Sequence, residues 1–231
     1  WTAIWAIAST FLNYVVGLCL ALLTNKKGIK LKGMWRTIYI LPYAMPAFIS
    51  LLVFRLMFNG IGPINNMLVN FGIERIPFFT DPILAKISVL AINTWVGAPY
   101  FMVLLSGSLT NISSTLYEAA EIDGATKMQQ FKHITLPMLL FQTAPVLILS
   151  FAYNFNNFGA IYLLTDGNPV NSNLKFAGET DILVTWLYKL TVNQQQFGMA
   201  AVISIVLFAF IATVSLYNFR KSKSFTEEDM I

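Results

Sequence analysis

Five runs of mainly apolar residues constrain this chain more than any other feature, because each is close to the ~20-residue length that crosses a ~30 Å hydrocarbon core as a helix. They are Trp1 to Leu23, Thr37 to Phe58, Pro82 to Leu105, Met138 to Phe158 and Gly198 to Phe219. In lipid, backbone N–H and C=O groups have no water to bond, so such runs are viable as helices, which pair them internally. The fold class that follows is all-α: a polytopic transmembrane helix bundle with about five spans, read as one domain over residues 1–231. Composition agrees, since 56% of the 231 residues are apolar and 11% charged, with a mean hydropathy of +0.64. A soluble domain carries roughly a quarter charged residues. The lone cysteine, Cys19, leaves no internal disulfide to form.

The basic residues orient the bundle. Lys26, Lys27, Lys30, Lys32 and Arg36 follow the first run without an acid among them, marking that loop as cytoplasmic. Alternation puts the segment around 106–137 and the one opening with Arg220, Lys221 and Lys223 on the same side. The opposite side holds only Arg75, Lys86, Lys175 and Lys189, while Arg55 can snorkel to the headgroups. The net charge of +4 therefore reflects membrane topology rather than a nucleic-acid surface. The first residue falls outside and is Trp rather than Met, so a preceding segment with at least one more span is expected.

Prolines at 42 and 46 break the second run, Pro99 the third and Pro145 the fourth, which predicts kinked helices. Outside, Ile64 to Phe71 is a short amphipathic piece opened by Pro63 at an N1 position, and Gly159 to Phe197 reads as polar and rich in turn signals. Inside, 106–137 carries helix signals of its own. Thr115 and Glu118 read as a capping box, the helix runs to Ile122, and Asp123-Gly124 suits a left-handed exit. A second short helix is expected from about Thr126, ending at Leu136-Pro137. Two short helices at an angle make a rigid protrusion able to push on a partner.

The stretch EAAEIDGATKMQQFKHITLP resembles the signature loop of ABC-importer permeases. The segments ILPYAMPAFIS, INTWVGAPY, SFAYNFNNFGAIYLLT and AGETDILVTWLYKL are similar, in order, to the maltose and maltodextrin permeases of the larger-subunit type. The resemblance implies that the loop is a coupling helix docking on a cytoplasmic ATPase dimer, with Glu118, Ala119, Ala120, Asp123 and Gly124 as its coupling positions. It also implies a second permease subunit, an extracytoplasmic solute-binding protein and residence in a bacterial cell membrane. ATP and Mg would be held by the ATPase and no cofactor by this chain. One departure is the outer turn, Gly167-Asn168-Pro169 here against Gly-Gly-Pro in the family.

Two runs carry polar stripes. Ser150, Tyr153, Asn154 and Asn157 fall at i, i+3, i+4 and i+7, one helix face with a vertical reach of about 10 Å. Asn93, Gly97 and Tyr100 fall at i, i+4 and i+7. Amide and phenol groups without a mid-membrane charge suit a neutral polyhydroxyl ligand, although asparagines in membrane bundles also serve to hold helices together. The resemblance favours an oligosaccharide and maps its contacts onto Tyr43, Asn93, Gly97, Tyr100, Tyr153, Asn154 and Asn157, with Ala47 standing where the family has serine. There is no Walker A loop, H-E-x-x-H, G-x-S-x-G or cysteine cluster, and the lone His133 lies in the inner loop. The chain reads as a conduit rather than an enzyme.

Overall fold

The computed structural model describes residues 1–26 and 28–221, without the side chains of 214, 215 and 217–221. Lys27 and Lys223, two of the residues used to orient the chain, lie outside the described residues. The architecture is all-α. Three helices are long and apolar enough to cross a membrane: α1 (Thr2–Asn25), α5 (Pro82–Thr110) and the continuous helix Lys127–Phe155. The last of these comprises α7 (Lys127–Gln130), a π turn (Phe131–Thr135) and α8 (Leu136–Phe155). The fifth expected run lies within α11 (Phe197–Lys221).

The second run is not one straight span. Its helix begins earlier than expected, as α2 (Lys32–Ala44), breaks at Met45-Pro46, and resumes as α3 (Ala47–Met57) with a bend of 87°. Pro46 has no N–H to give, and the residue before a proline is pushed out of the helical region; Met45 accordingly sits at φ −81°, ψ 144°. Pro99 and Pro145, by contrast, are absorbed inside continuous helices. Outside the bundle, α4 (Pro63–Asn70) starts with Pro63 at its first turn, as its position predicts.

Two expectations for the inner loop are corrected. Helix α6 (Ser114–Ile122) is capped by Ser113, whose Oγ accepts from the Thr115 N–H at 3.3 Å, so Thr115 and Glu118 form no capping box. Ser113, Ser114 and Thr115 all offer a hydroxyl, and the first one after α5 takes the cap. Nor does the chain stop at Leu136-Pro137. The π turn lets the Leu136 N–H reach the Phe131 carbonyl, a wider turn that absorbs the proline and carries α7 straight into α8. The exit of α6 is as expected: Gly124 sits at φ +77°, its N–H donating to Glu121 O at 3.1 Å and the Ala125 N–H to Ala120 O at 2.8 Å, a Schellman motif.

Packing divides the interior in two. Near the basic end of the molecule, Tyr14, Leu18, Ala21, Phe101, Met102, Leu105, Ile112 and Leu139 form one cluster. Toward the opposite end, Trp5, Leu51, Val89, Ile92, Ala160, Ile161, Leu164 and Ile182 form another. Both draw on α1 and α5. Between them, where α1 carries Asn13 and α5 carries Asn93 to Tyr100, the bundle is polar and partly open. Large apolar side chains such as Ile4, Ile7 and Phe11 face outward, as lipid contact requires.

The segment 159–197 is not a polar loop throughout. Its first part is the apolar helix α9 (Phe158–Thr165), which buries Ala160, Ile161 and Leu164. The remainder folds back on the bundle before α10 (Leu183–Tyr188). Asp181, its side chain 1% exposed, pairs with Lys189 at 2.8 Å and accepts from the Gly178 N–H at 2.7 Å. Lys86 and Glu179 form a second ion pair at 2.5 Å, tying the loop to α5.

Candidate functional site

All eight residues singled out for substrate contact, Tyr43, Asn93, Gly97, Tyr100, Ser150, Tyr153, Asn154 and Asn157, line one cavity of about 740 Å³ at this polar waist. That volume lies within the ~300–1,000 Å³ of typical small-molecule sites. Ala47, Phe48, Val96, Phe101 and Leu149 supply apolar wall, and none of the lining residues is ionisable at neutral pH. Among the described residues no group of three His, Cys, Asp or Glu is placed to hold a metal ion.

Three tyrosines face the open space, with Tyr43 at 52%, Tyr100 at 40% and Tyr153 at 68% exposure. Tyr43, in the last turn of α2 before the break, comes within 5.8 Å of the Tyr100 ring on α5, centroid to centroid. The break at Pro46 thus brings an aromatic group to the cavity; Pro42, expected to break the run as well, lies inside α2.

The asparagines behave differently. Asn154 is 2% exposed and its amide is spent on protein partners. Its Oδ1 accepts from Asn93 Nδ2 at 3.2 Å, and its Nδ2 donates to Thr10 Oγ1 at 3.3 Å and to the Ser150 carbonyl at 2.9 Å. The Trp5 indole N–H donates to the Asn154 carbonyl at 3.0 Å, satisfying one of the free acceptors at the end of α8. Asn154 therefore joins α1, α5 and α8 and positions its neighbours, with its edge in the cavity wall.

Asn157 does not share a helix face with Ser150, Tyr153 and Asn154. α8 ends at Phe155, and Asn157 instead caps α9, its Oδ1 accepting from the Ala160 N–H at 3.2 Å. The run Asn154 to Asn157 holds three asparagines, residues whose side chains compete for backbone donors and favour a stop and a restart. Asn157 still reaches the site, donating to Asn93 Oδ1 at 3.3 Å. Gly97 lies against Asn13: a β-carbon there would stand 2.5 Å from Asn13 Nδ2, so a larger residue has to displace that side chain.

The proposed coupling positions lie apart from this cavity. Glu118, Ala119 and Ala120 are on α6 and Asp123 and Gly124 in its exit; no residue of α6 is buried, and Leu116, Ile122 and Met128 stand exposed around it. The Tyr117 hydroxyl lies 2.9 Å from Thr135 Oγ1, and Ile112 plugs into the apolar cluster below, so the protrusion is fastened to the bundle.

Residues 13–223 match the family of binding-protein-dependent transport system inner membrane components. The chain belongs to this family. It is a multi-pass membrane protein, and its relatives are transport permeases. It is 41% identical over 230 residues to the galactooligosaccharides transport system permease protein GanP of Bacillus subtilis (strain 168), covering 99% of this chain and 55% of that one. Over 240 residues it is 42% identical to the maltodextrin transport system permease protein MdxF of the same organism, covering 100% and 55%. The maltose/maltodextrin transport system permease protein MalF of Vibrio vulnificus (strain YJ016) is 43% identical over 230 residues, covering 96% and 44%. The chain thus spans about half the length of the curated relatives it matches.

Among solved structures, a bacterial alginate ABC transporter in complex with an alginate pentasaccharide-bound periplasmic protein superposes with a TM-score of 0.77 at 25% identity, covering 98% of this chain and 77% of that one. An inward-facing MetNI methionine ABC transporter, at TM-score 0.63 and 18% identity, shares the fold over 98% of this chain and 93% of that one.

For this family member, residue-pattern reading missed the contribution of the first span. Thr10 and Asn13 on α1 are both buried at the waist, Thr10 bonding Asn154 and Asn13 lining the cavity. The available signal was Ser9, Thr10 and Asn13 inside an otherwise apolar 24-residue helix.

Proposed function

We propose that the protein is the membrane-spanning permease subunit of a binding-protein-dependent ABC importer that translocates maltodextrin-type oligosaccharides. The observation that carries this reading is the uncharged waist cavity, with its exposed tyrosines and its asparagine frame. Sugar rings present apolar C–H faces that lie well on aromatic surface, and their hydroxyls need neutral donors and acceptors. A charged solute would lose its hydration here without gaining a counter-ion.

Transport in this reading is driven by ATP hydrolysis on a cytoplasmic ATPase dimer, which binds ATP and Mg, and this chain performs no chemistry. Helix α6 is the docking element, with Glu118, Ala119, Ala120, Asp123 and Gly124 presented on an uncovered protrusion. A second permease subunit completes the translocation path, and an extracytoplasmic solute-binding protein delivers the sugar near the folded segment 166–182. The setting is a bacterial cell membrane. Its names for relatives, maltodextrin and galactooligosaccharide permeases, support the sugar class.

The test is uptake of labelled glucose, maltose, maltodextrins and galactooligosaccharides in strains carrying and lacking the full-length subunit. Subunit-dependent uptake of one oligosaccharide class is expected. Equal uptake of every sugar in both strains overturns the assignment.

A further inference from the structure

Positive charge gathers at the foot of α2 without a counter-charge among the described residues. Lys26, Lys30, Lys32 and Arg36 are all exposed, and none of the four is in an ion pair there. The first acidic residue in the sequence is Glu74. Loop asymmetry accounts for the side of the membrane on which these cations lie, not for their gathering at one helix. The Arg36 guanidinium donates to Asn25 Oδ1 at 3.4 Å, which holds the foot of α2 to the end of α1 and brings Lys26, the next residue, to the same place. Lys32 and Arg36, four residues apart, share a strip of α2.

Aromatic and apolar groups border this charge. At ~3.6 residues per turn the strips run, in order round α2, Met34 and Ile38, then Trp35 and Tyr39, then Lys32 and Arg36. Trp35 and Tyr39 stack with their centroids 6.1 Å apart. The Trp35 ring is exposed and its indole N–H has no acceptor among the described residues, whereas those of Trp1, Trp5 and Trp186 each donate to a carbonyl. Amphipathic rings of this kind favour headgroup depth. Met34 and Ile38 are exposed beside it. An acidic soluble protein would engage the cations but gain nothing from this apolar strip; a phospholipid uses both.

We propose that Lys26, Lys30, Lys32 and Arg36, with the Trp35 indole N–H, form a binding site for the phosphate headgroup of an anionic phospholipid in the inner leaflet. The acyl chains lie along Met34 and Ile38. Each cation adds attraction that decays over a Debye length, and the indole donates to a phosphate oxygen. The bound lipid fixes the foot of α2, whose other end presents Tyr43 to the waist cavity. The site is independent of which solute crosses.

The test uses the full-length subunit in the assembled transporter, with phosphatidylglycerol and phosphatidylcholine of identical acyl chains as probes and native mass spectrometry to measure bound lipid. Wild type should bind phosphatidylglycerol roughly tenfold more tightly than phosphatidylcholine, with the preference shrinking in high salt. Lys32→Gln/Arg36→Gln leaves Lys26, Lys27 and Lys30 to keep the loop on its side of the membrane, and should weaken phosphatidylglycerol binding roughly ten- to thirtyfold. Trp35→Phe, which keeps every charge and the ring stack, should weaken it roughly three- to tenfold. Lys132→Gln, which removes a cation elsewhere at the basic end, should leave it unchanged. Excess inorganic phosphate, having no acyl chains, should not displace the lipid. Equal binding of both lipids by wild type overturns the proposal, as does unchanged binding in the double variant or in Trp35→Phe, an equal fall in Lys132→Gln, or displacement by phosphate alone. Loss of the ATPase subunits from the double variant with lipid binding intact also overturns it, by assigning the cations to a protein partner.

Discussion

Asn154 and Tyr153 are adjacent in sequence and line the same cavity, but the structure assigns them opposite consequences when truncated. Asn154→Ala removes two interhelical bonds, to Asn93 and to Thr10. Such bonds in membrane bundles are worth about 0.6–1.7 kcal/mol each. It also strands the Asn93 Nδ2 donor, at about 1–3 kcal/mol. The sum is roughly 2–6 kcal/mol, which for a unit of this size lowers the melting midpoint by roughly 4–24 °C. Tyr153, at 68% exposure, has no such hydrogen bond among the described residues. Tyr153→Ala should therefore leave the midpoint within about 2 °C, since exposed truncations stay near ±0.5 kcal/mol. Its loss should appear in transport instead, as a rise of about tenfold in KM for the loss of an aromatic surface worth ~1–1.5 kcal/mol. Size-exclusion thermostability and concentration-dependent uptake on one preparation separate the two. If Asn154→Ala melts like wild type, or Tyr153→Ala melts early with an unchanged KM, the division between frame and contact surface is wrong.

Three other outcomes are expected. Gly124→Val places a β-branched residue at φ +77°, a position that costs an ordinary residue about 1–2 kcal/mol, so the transporter should assemble while ATP hydrolysis is uncoupled from uptake; wild-type coupling in that variant refutes the docking role of α6. Asp181→Asn leaves the Lys189 ammonium, 16% exposed, without its carboxylate, and should destabilise the outer segment by up to about 3 kcal/mol, seen as faster proteolysis between 166 and 182. Tyr117→Phe deletes the hydroxyl that meets Thr135 and should lower the ratio of sugar imported to ATP hydrolysed without reducing subunit yield.

Sequence carried the three spans that form single long helices, because hydrophobic run length answers directly to bilayer thickness, and it carried the break at Met45-Pro46, because proline's missing donor acts locally. The errors lie where several local solutions were nearly equal. Three consecutive hydroxyl residues could each cap α6, and Ser113 prevailed over Thr115. Pro137 reads as a terminator, yet a π turn accommodates it once α8 has a bundle to pack against. Three asparagines within four residues hid the division between α8 and α9, moving Asn157 to a cap. Asn13 was passed over as a cavity residue although Ser9, Thr10 and Asn13, at i, i+1 and i+4, mark a polar face on α1; that this face turns to the cavity is set by tertiary packing, which brings Asn13 against Gly97 of α5.

The placement of polar groups at the waist also explains how a push at one end can reach the substrate. In the proposed importer, force enters at α6, which is clasped to the start of the long helix through Tyr117 and Thr135. From Thr135 to Asn154 that helix is unbroken, about 28 Å of rod at ~1.5 Å per residue. At its far end Asn154 is bonded to Thr10 on α1 and Asn93 on α5, so these three walls move as a unit. Tyr43 sits on α2, which packs against α5 and α1 but shares none of these asparagine hydrogen bonds, and its ring meets that of Tyr100. In the proposed importer a displacement of the rod would therefore shift the asparagine frame against Tyr43, which no described hydrogen bond ties to it. The asparagine frame, with Tyr100 and Tyr153 on its own helices, would keep its geometry while Tyr43 moves against it, and a neutral sugar held by weak contacts to each would be released without a charged group having to be desolvated.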